Sequence, residues 1–396
     1  MSRVVIVGAS AGGLATAEAL RRLGFAGDIT MIGAEAYLPY DRPPLSKQVL
    51  AGKLGPHEVL LRSADQIDGL ALDLRLGVTA TGVDTESRTV TVSDGRIGYD
   101  ELVVATGVRP RRLPGADGVS GVHYVRTLED ALALKQSLRP GRRLVVVGAG
   151  FIGAEAAAVA RGLGVDVTML EPEPVPLARV LGQQIGLALT EVHREHGVDL
   201  RTGVAVREVL SSDGVATGVR LADGAEVPAD AIVIGIGCVP NIEWLRSSGL
   251  PLGDGLLCDE FSTAAPGVHG VGDVARWHNP LFDVSMRIEH RTNAAEQGLA
   301  VARNLLGVQQ PFAPVPYFWS DQYDLKIQSY GYLRDHEEVA VVDGDLDSRR
   351  FVAAYRKGDR LTGVVAVNAA PKVLRSWRAA IAARRPWPTV QSTVEV

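Results

Sequence analysis

Cysteine is nearly absent: the 396 residues contain only Cys238 and Cys258. Two thiols so placed cannot staple a small secreted domain, and they supply neither a CxxC pair nor a zinc-ligand set. A reducing cytoplasm is the expected setting, with both thiols as small core fillers. Long apolar runs are missing too. The longest, Leu144 to Ala160, is broken by Gly148, Gly150, Gly153 and Glu155, which a membrane span of about 20 apolar residues would not carry. Val4 to Val7 is too short for a secretion signal and runs straight into a glycine turn, so it reads as a first strand. Nor is there an excess of positive charge. Lys and Arg number 41 against 46 Asp and Glu, a net charge of −5, which argues against a general nucleic-acid binder.

Glycine, by contrast, is abundant: 44 of 396 residues, about 11%, with no collagen-like period. That excess points to many tight βα turns. A 46% hydrophobic and 22% charged composition excludes disorder and fibre, and the length implies two or three domains at roughly 150 residues each.

One supersecondary pattern occurs twice. Val4 to Val7 is a β-branched run followed by Gly8-Ala-Ser-Ala-Gly-Gly13, a helical stretch to Leu23 and a second strand from Ile29 to Ile32. Leu144 to Val147 repeats it, with Gly148-Ala-Gly-Phe-Ile-Gly153, a helix to about Leu163 and a strand from Val165 to Leu170. Closing strands echo each other at Tyr99 to Gly107 and Asp230 to Gly237. A further short strand ends in Gly270-Val-Gly-Asp273. From about Val315 the texture shifts to alternating β patterns, including Glu338 to Asp343 and Arg350 to Tyr355, as expected of a smaller α+β domain. The tail from Arg384 to Val396 reads as loosely ordered.

In a GxGxxG turn the first glycine makes the bend, the second admits a pyrophosphate and the third lets helix pack on strand, with phosphate at the positive helix N-terminus. The first unit offers Gly8, Ser10, Ala11 and Gly13, with serine replacing the second glycine, and Glu35 after the second strand as a ribose acceptor. The second is complete at Gly148, Gly150 and Gly153, with Phe151 and Ile152 between and Glu171 closing its strand. A carboxylate there accepts from a free 2′-hydroxyl and repels a 2′-phosphate, which favours NADH over NADPH. Two dinucleotide sites in one chain imply a hydride donor and a tightly held redox acceptor, most simply a flavin.

With both turns, Ala105-Thr-Gly107 and Gly270-Val-Gly-Asp273, the chain resembles the two-dinucleotide-binding flavoproteins of the glutathione reductase superfamily. Pro39-Tyr-Asp-Arg-Pro-Pro-Leu-Ser-Lys47, Ile288-Glu-His290 and Tyr317-Phe-Trp-Ser-Asp-Gln322 narrow the likeness to the NADH-dependent ferredoxin reductases of oxygenase and cytochrome P450 chains. The resemblance implies an α/β fold: an FAD domain at 1–112 and 236–313, an NAD domain at 113–235 and a C-terminal α+β domain at 314–396. It implies FAD contacts from the first glycine turn, Glu35, Arg42, Lys47, Val83, Ala105, Thr106, Gly107, Arg109, Gly272, Asp273, Glu289, His290, Arg291 and Trp319. NAD contacts are expected from Gly150, Phe151, Ile152, Gly153, Glu171 and Gly237. Disulfide reductases of the superfamily carry a cysteine pair facing the flavin, and Arg42 to Lys47 has none, so electrons are expected to leave the flavin directly, suiting a [2Fe-2S] ferredoxin.

Lys47 and Glu155 are the expected catalytic pair. The ammonium would balance negative charge arising on the flavin, and Glu155 would orient the nicotinamide carboxamide, although its place after Gly153 also fits a simple helix-dipole interaction. Arg291 admits three readings: a solvent-facing charge, a phosphate ligand or a docking residue. Arg62, Arg276, Arg287, Arg303 and Lys326 are further docking candidates. His193 and His196 have one-face spacing but no third metal ligand nearby, so solvated helix polarity is expected. Rubredoxin as acceptor, or a binding role like that of apoptosis-inducing flavoproteins, stays open, as does a monomer or a homodimer.

Overall fold

The computed structural model describes residues 2–387. The first repeat is built from β1 (Arg3–Val7), α1 (Ala11–Arg22), β2 (Asp28–Gly33) and the closing strand β3 (Glu101–Val104). The second is β4 (Arg143–Val147), α2 (Phe151–Gly162), β5 (Asp166–Glu171), α3 (Gln183–Glu195) and the closing strand β6 (Ala231–Ile234). Each pattern read from the sequence therefore folds as strand, glycine turn, helix, strand.

Two compact units result. The first comprises the chain up to Asp41, His57–Arg109 and Val239–Pro316, and the second Arg42–Pro56, Pro110–Cys238 and the chain from Tyr317. In the first unit a six-stranded sheet runs Thr263–Ala265, Val268–Gly270, β3, β1, β2, Asp73–Leu76, with every neighbour parallel except the outermost Thr263–Ala265 strand. Successive residues of β1 face opposite sides, which is why the run is apolar throughout. Val4 and Ile6 pack with Leu14, Leu20 and Met31, while Val5 and Val7 pack with Ile32, Leu102 and Val104. Helix α4 (Arg291–Leu305) closes on α1, and a Cβ at Gly298 would lie 2.8 Å from Gly12 O and from Thr16 Oγ1, so a glycine sets that approach.

In the second unit a five-stranded parallel sheet runs Asp199–Thr202, β5, β4, β6, Val122–His123. Val146, Ala156, Ala157, Ala160 and Met169 fill one side; Val145, Val147, Ile232 and Ile234 fill the other. The same unit holds an antiparallel sheet that begins with β7 (Tyr317–Gln322) and β8 (Leu325–Gly331) and continues through Arg360–Val367, Arg350–Lys357 and Glu338–Asp345. Leu181, Ile185, Leu189 and Val192 of α3 and the short helix before it share a core with Ile327, Phe351, Tyr355 and Val365. The α/β class with a β-rich C-terminal part is thus as the sequence implied.

Two sequence expectations change. Of the tail expected to be loose, residues past Trp387 lie outside the described residues, but Trp387 is buried and donates its N–H to Asp359 O at 2.7 Å. His193 was expected on a solvated helix face and is instead buried, because α3 packs against the antiparallel sheet rather than facing water.

Candidate functional site

Each parallel sheet reverses its strand order at the first strand of its repeat, so the crevice at that strand's C-terminal end is where an open α/β sheet takes a ligand. In the first unit Gly8 sits there at φ +124°, and a Cβ on it would strike the carbonyl of Ala105. A Cβ on Gly13 would strike the carbonyl of Gly8. Ser10 is the N-cap of α1 but makes no side-chain cap bond, leaving the N–H groups of Ala11, Gly12 and Gly13 without intrahelical acceptors. Glu35, after β2, accepts a short hydrogen bond from the Tyr40 hydroxyl.

The third strand continues the site. Thr106 donates its hydroxyl to Asn241 O at 2.9 Å and accepts at its carbonyl from Asn241 Nδ2 at 2.9 Å, and Gly107 has φ +66°. Arg109 is held by Glu243 through a fork at 2.9 and 2.7 Å. Val83 is core, and Gly272 donates its N–H to buried Gln297 at 2.8 Å. Asp273 follows half-buried, and its carbonyl accepts from Arg287 at 3.2 Å. Glu289 is exposed and paired with Arg287 at 2.7 Å. His290 caps α4, and Arg291 begins it, half-buried and 2.6 Å from Asp41. Asn293, the third residue of α4, is buried with neither amide atom partnered.

In the second unit Gly148 (φ +96°) brings its turn so close to β6 that a Cβ would lie 2.5 Å from Gly235 O. Gly150 caps α2 with open space where a side chain would be, and Ile152 is 45% exposed beside it. Phe151 packs on Phe318 at 4.8 Å, and a Cβ on Gly153 would strike Gly148 O. Glu171 reaches back to the turn, accepting from Ala149 N at 2.8 Å and Glu173 N at 3.0 Å. Those bonds leave carboxylate lone pairs for a hydroxyl donor. Gly237, at φ +91°, accepts from Arg111 N at 3.0 Å.

Lys47 and Glu155 also meet in this unit. Nζ lies 2.7 Å from Oε2, with the side chains 10% and 2% exposed. Lys47 follows a short Pro43–Ser46 turn and also donates to Pro43 O at 3.2 Å, while Ser46 donates to Glu155 Oε2 at 2.5 Å. Glu155 therefore holds a buried ion pair instead of serving the helix dipole. Arg42 donates to Arg126 O at 2.5 Å, and Trp319 of β7 is half-buried against Tyr317.

Sequence reasoning missed the partners of this pair. Ser320 Oγ donates to Glu155 Oε1 at 2.6 Å, Gln322 Nε2 donates to Ser320 Oγ at 3.1 Å, and His193 Nε2 faces Gln322 Oε1 at 3.1 Å. Ser46, Ser320 and Gln322 all stood inside motifs already singled out, but nothing in their spacing tied them to one carboxylate. Burial holds the His193 imidazole down to about 4 despite its bond to Gln322. Among the docking candidates, Arg62 pairs with Glu18 at 2.6 Å, Arg276 with Asp254 at 3.2 Å and Arg287 with Asp254 at 3.1 Å. Arg303 and Lys326 are exposed. A surface depression of about 390 Å³ is lined by Arg3, Asp28, Asp73 and Arg75 and shares no residue with either glycine turn.

The family model for pyridine nucleotide-disulphide oxidoreductases matches residues 2–298, and that for the reductase C-terminal domain matches residues 317–393. The chain is 41% identical over 372 residues to a ferredoxin–NAD(P)(+) reductase of a Sphingomonas species, covering 92% of this chain and 89% of that protein. It is 39% identical over 369 residues to rhodocoxin reductase of Rhodococcus erythropolis, covering 92% and 86%. Among solved structures it resembles a chain of the covalent putidaredoxin reductase–putidaredoxin complex, with a TM-score of 0.93, 36% identity and coverage of 97% of this chain and 94% of that one.

Proposed function

This chain belongs to the pyridine nucleotide-disulphide oxidoreductase family, and from that premise we propose that it moves hydride from NADH to FAD and then single electrons to a [2Fe-2S] ferredoxin serving a cytochrome P450 or another oxygenase. It is a flavoprotein oxidoreductase of the ferredoxin reductase kind, and its two cysteines are free thiols. The observation that carries the reading is duplication: two sheets with a parallel core, in each of which the first strand of the repeat ends in a glycine turn under a helix N-terminus with no side-chain cap. A cytoplasmic location fits the free thiols.

The residues of the first unit fit FAD. The Gly8 turn leaves no room for a side chain, the N–H groups at the start of α1 are open to a pyrophosphate, and Asn293 is a buried amide with both ends unspent. FAD, when bound, converts a two-electron hydride input into single-electron output. Glu35 would accept from its ribose, and Asp273 from its polyol chain. In the second unit the start of α2 would take the NADH pyrophosphate and Glu171 its adenine-side ribose. Because Glu171 would repel a 2′-phosphate, NADH is the proposed donor. Lys47 would supply positive charge to offset negative charge on the bound cofactor, and Glu155, 2.7 Å away, would keep that lysine placed.

For the ferredoxin, docking charge is proposed at Arg303 and Lys326, which have no acidic partner within 4 Å among the described residues, in contrast to Arg62, Arg276, Arg287 and Arg291. Ferredoxin reduction that slows as salt rises is the expected sign of that steering, and a flat response would count against it. The decisive test is an anaerobic titration followed through the visible flavin spectrum. One equivalent of NADH should bleach the flavin with no thiolate charge-transfer band, and NADPH should do so only at much higher concentration. A protein that stays colourless after incubation with FAD would overturn the proposal.

A further inference from the structure

The Lys47–Glu155 pair is the inner end of a longer line of buried polar groups within the second unit. From Glu155 Oε1 it runs to Ser320 Oγ at 2.6 Å, to Gln322 Nε2 at 3.1 Å, from Gln322 Oε1 to His193 Nε2 at 3.1 Å, and from His193 Nδ1 to the Tyr323 hydroxyl at 3.0 Å. Ser320, Gln322 and His193 are all buried. Tyr323 occupies the turn between β7 and β8 at φ +54°, a conformation that favours Gly, Asn or Asp. The tyrosine there, against local preference, puts its hydroxyl on His193 and its ring against His196, with centroids 3.7 Å apart.

The direction of the bonds follows from what each group can donate. Glu155, as a carboxylate, only accepts, so the Ser320 proton must point at it. Ser320 Oγ then accepts from the Gln322 amide, which turns Gln322 Oε1 toward His193, and that oxygen requires a proton on Nε2. Neutral imidazole with Nε2–H leaves Nδ1 bare, to accept from the Tyr323 hydroxyl. Every donor in the line thus points toward Glu155. A flipped Gln322 would offer its oxygen to Ser320, draw the serine proton away, and set oxygen lone pairs against the carboxylate at 2.6 Å.

We propose that Gln322 is a positioning residue for the Lys47–Glu155 pair, its amide orientation fixed by the tautomer of His193 and that tautomer fixed by Tyr323. The inference rests on the redox reading of the pair given above. It assigns a task to three side chains outside the glycine turns: they commit the Ser320 hydroxyl to Glu155, so that the carboxylate keeps one geometry with Lys47.

The test has two arms on the full-length, FAD-loaded protein. Selective ¹⁵N labelling of histidine, with His193 assigned by its loss in His193→Gln, should show the Nε2-protonated neutral ring, and Tyr323→Phe should mix the two tautomers. A His193 protonated at Nδ1 in the parent protein would overturn the proposal. In the kinetic arm, Ser320→Ala, which removes the hydrogen bond to the Glu155 carboxylate, and Gln322→Leu, which frees the Ser320 hydroxyl to turn away from it, should each lower kcat for NADH oxidation about ten-fold, with KM for NADH unchanged. Ser320→Thr keeps the hydroxyl and should restore the rate. If Gln322→Leu does not fold, Tyr323→Phe serves as the second variant and should lower kcat in the same direction. Unchanged kcat in these variants, or a rise in KM alone, overturns the inference while leaving the function standing. A parent protein that NADH does not reduce overturns the function instead.

Discussion

At 2.7 Å from Glu155 and one-tenth exposed, the Lys47 ammonium sits where a charge is stable only with its partner. Removing one member of a buried pair leaves the other uncompensated and costs about 3–5 kcal/mol. Lys47→Ala should therefore retain FAD while losing stability of that order and slowing flavin reduction, read by visible absorbance, thermal unfolding and stopped flow. An unchanged reduction rate would remove its catalytic role. Glu171 acts by a separate means. Its two oxygens already accept from Ala149 and Glu173, so it is fixed at the edge of the turn by backbone donors. Glu171→Ala should weaken NADH binding and narrow its advantage over NADPH to within about ten-fold, since a single hydrogen bond to a carboxylate contributes roughly 1.5–3 kcal/mol. Steady-state KM values for both nucleotides check this.

The elements carry their own constraint. Gly148 has φ +96°, and any Cβ there would lie 2.5 Å from Gly235 O, a backbone atom that cannot move without shifting β6. Gly148→Ala should destabilise the second unit by about 1–3 kcal/mol through strain and should abolish NADH binding, measured by thermal unfolding and nucleotide titration. Such turns are legible in a sequence because their logic is local: strand, glycine spacing and helix lie within some twenty residues, and the same steric argument applied at Gly8 and Gly148. Helix α3 was legible as a helix but not as to its surroundings. The spacing of His193 and His196 shows which residues share a face, whereas what covers that face is a sheet whose strands begin at Tyr317. The polar line behind Glu155 was invisible for the same reason, being made of contacts such as Ser46 to Glu155 and Ser320 to Glu155 at separations of 109 and 165 residues.

For the molecule as a whole, the consequence of burying such groups is a stability that depends on pH. The His193 ring titrates at about 4 in the folded chain because burial disfavours its charged form, against an ordinary value of 6.5 once unfolded. Between those values the unfolded chain binds the extra proton, so stability rises with pH across this window. The contribution is complete above pH 6.5 and is lost as pH falls toward 4. The difference corresponds to roughly 3 kcal/mol as an upper bound. His123 is lowered by burial too and acts in the same direction, whereas Asp230, lowered to about 2 chiefly by its hydrogen bond from Arg143, acts only below its ordinary 3.8. The histidines can therefore be separated from Asp230 by pH, and His193 from His123 by substitution. Thermal unfolding of the parent protein should show a falling Tm between pH 6.5 and 4, and His193→Gln, which cannot take up a proton, should flatten that slope while lowering Tm at pH 7. A variant as pH-sensitive as the parent across this window would place the titrating group elsewhere.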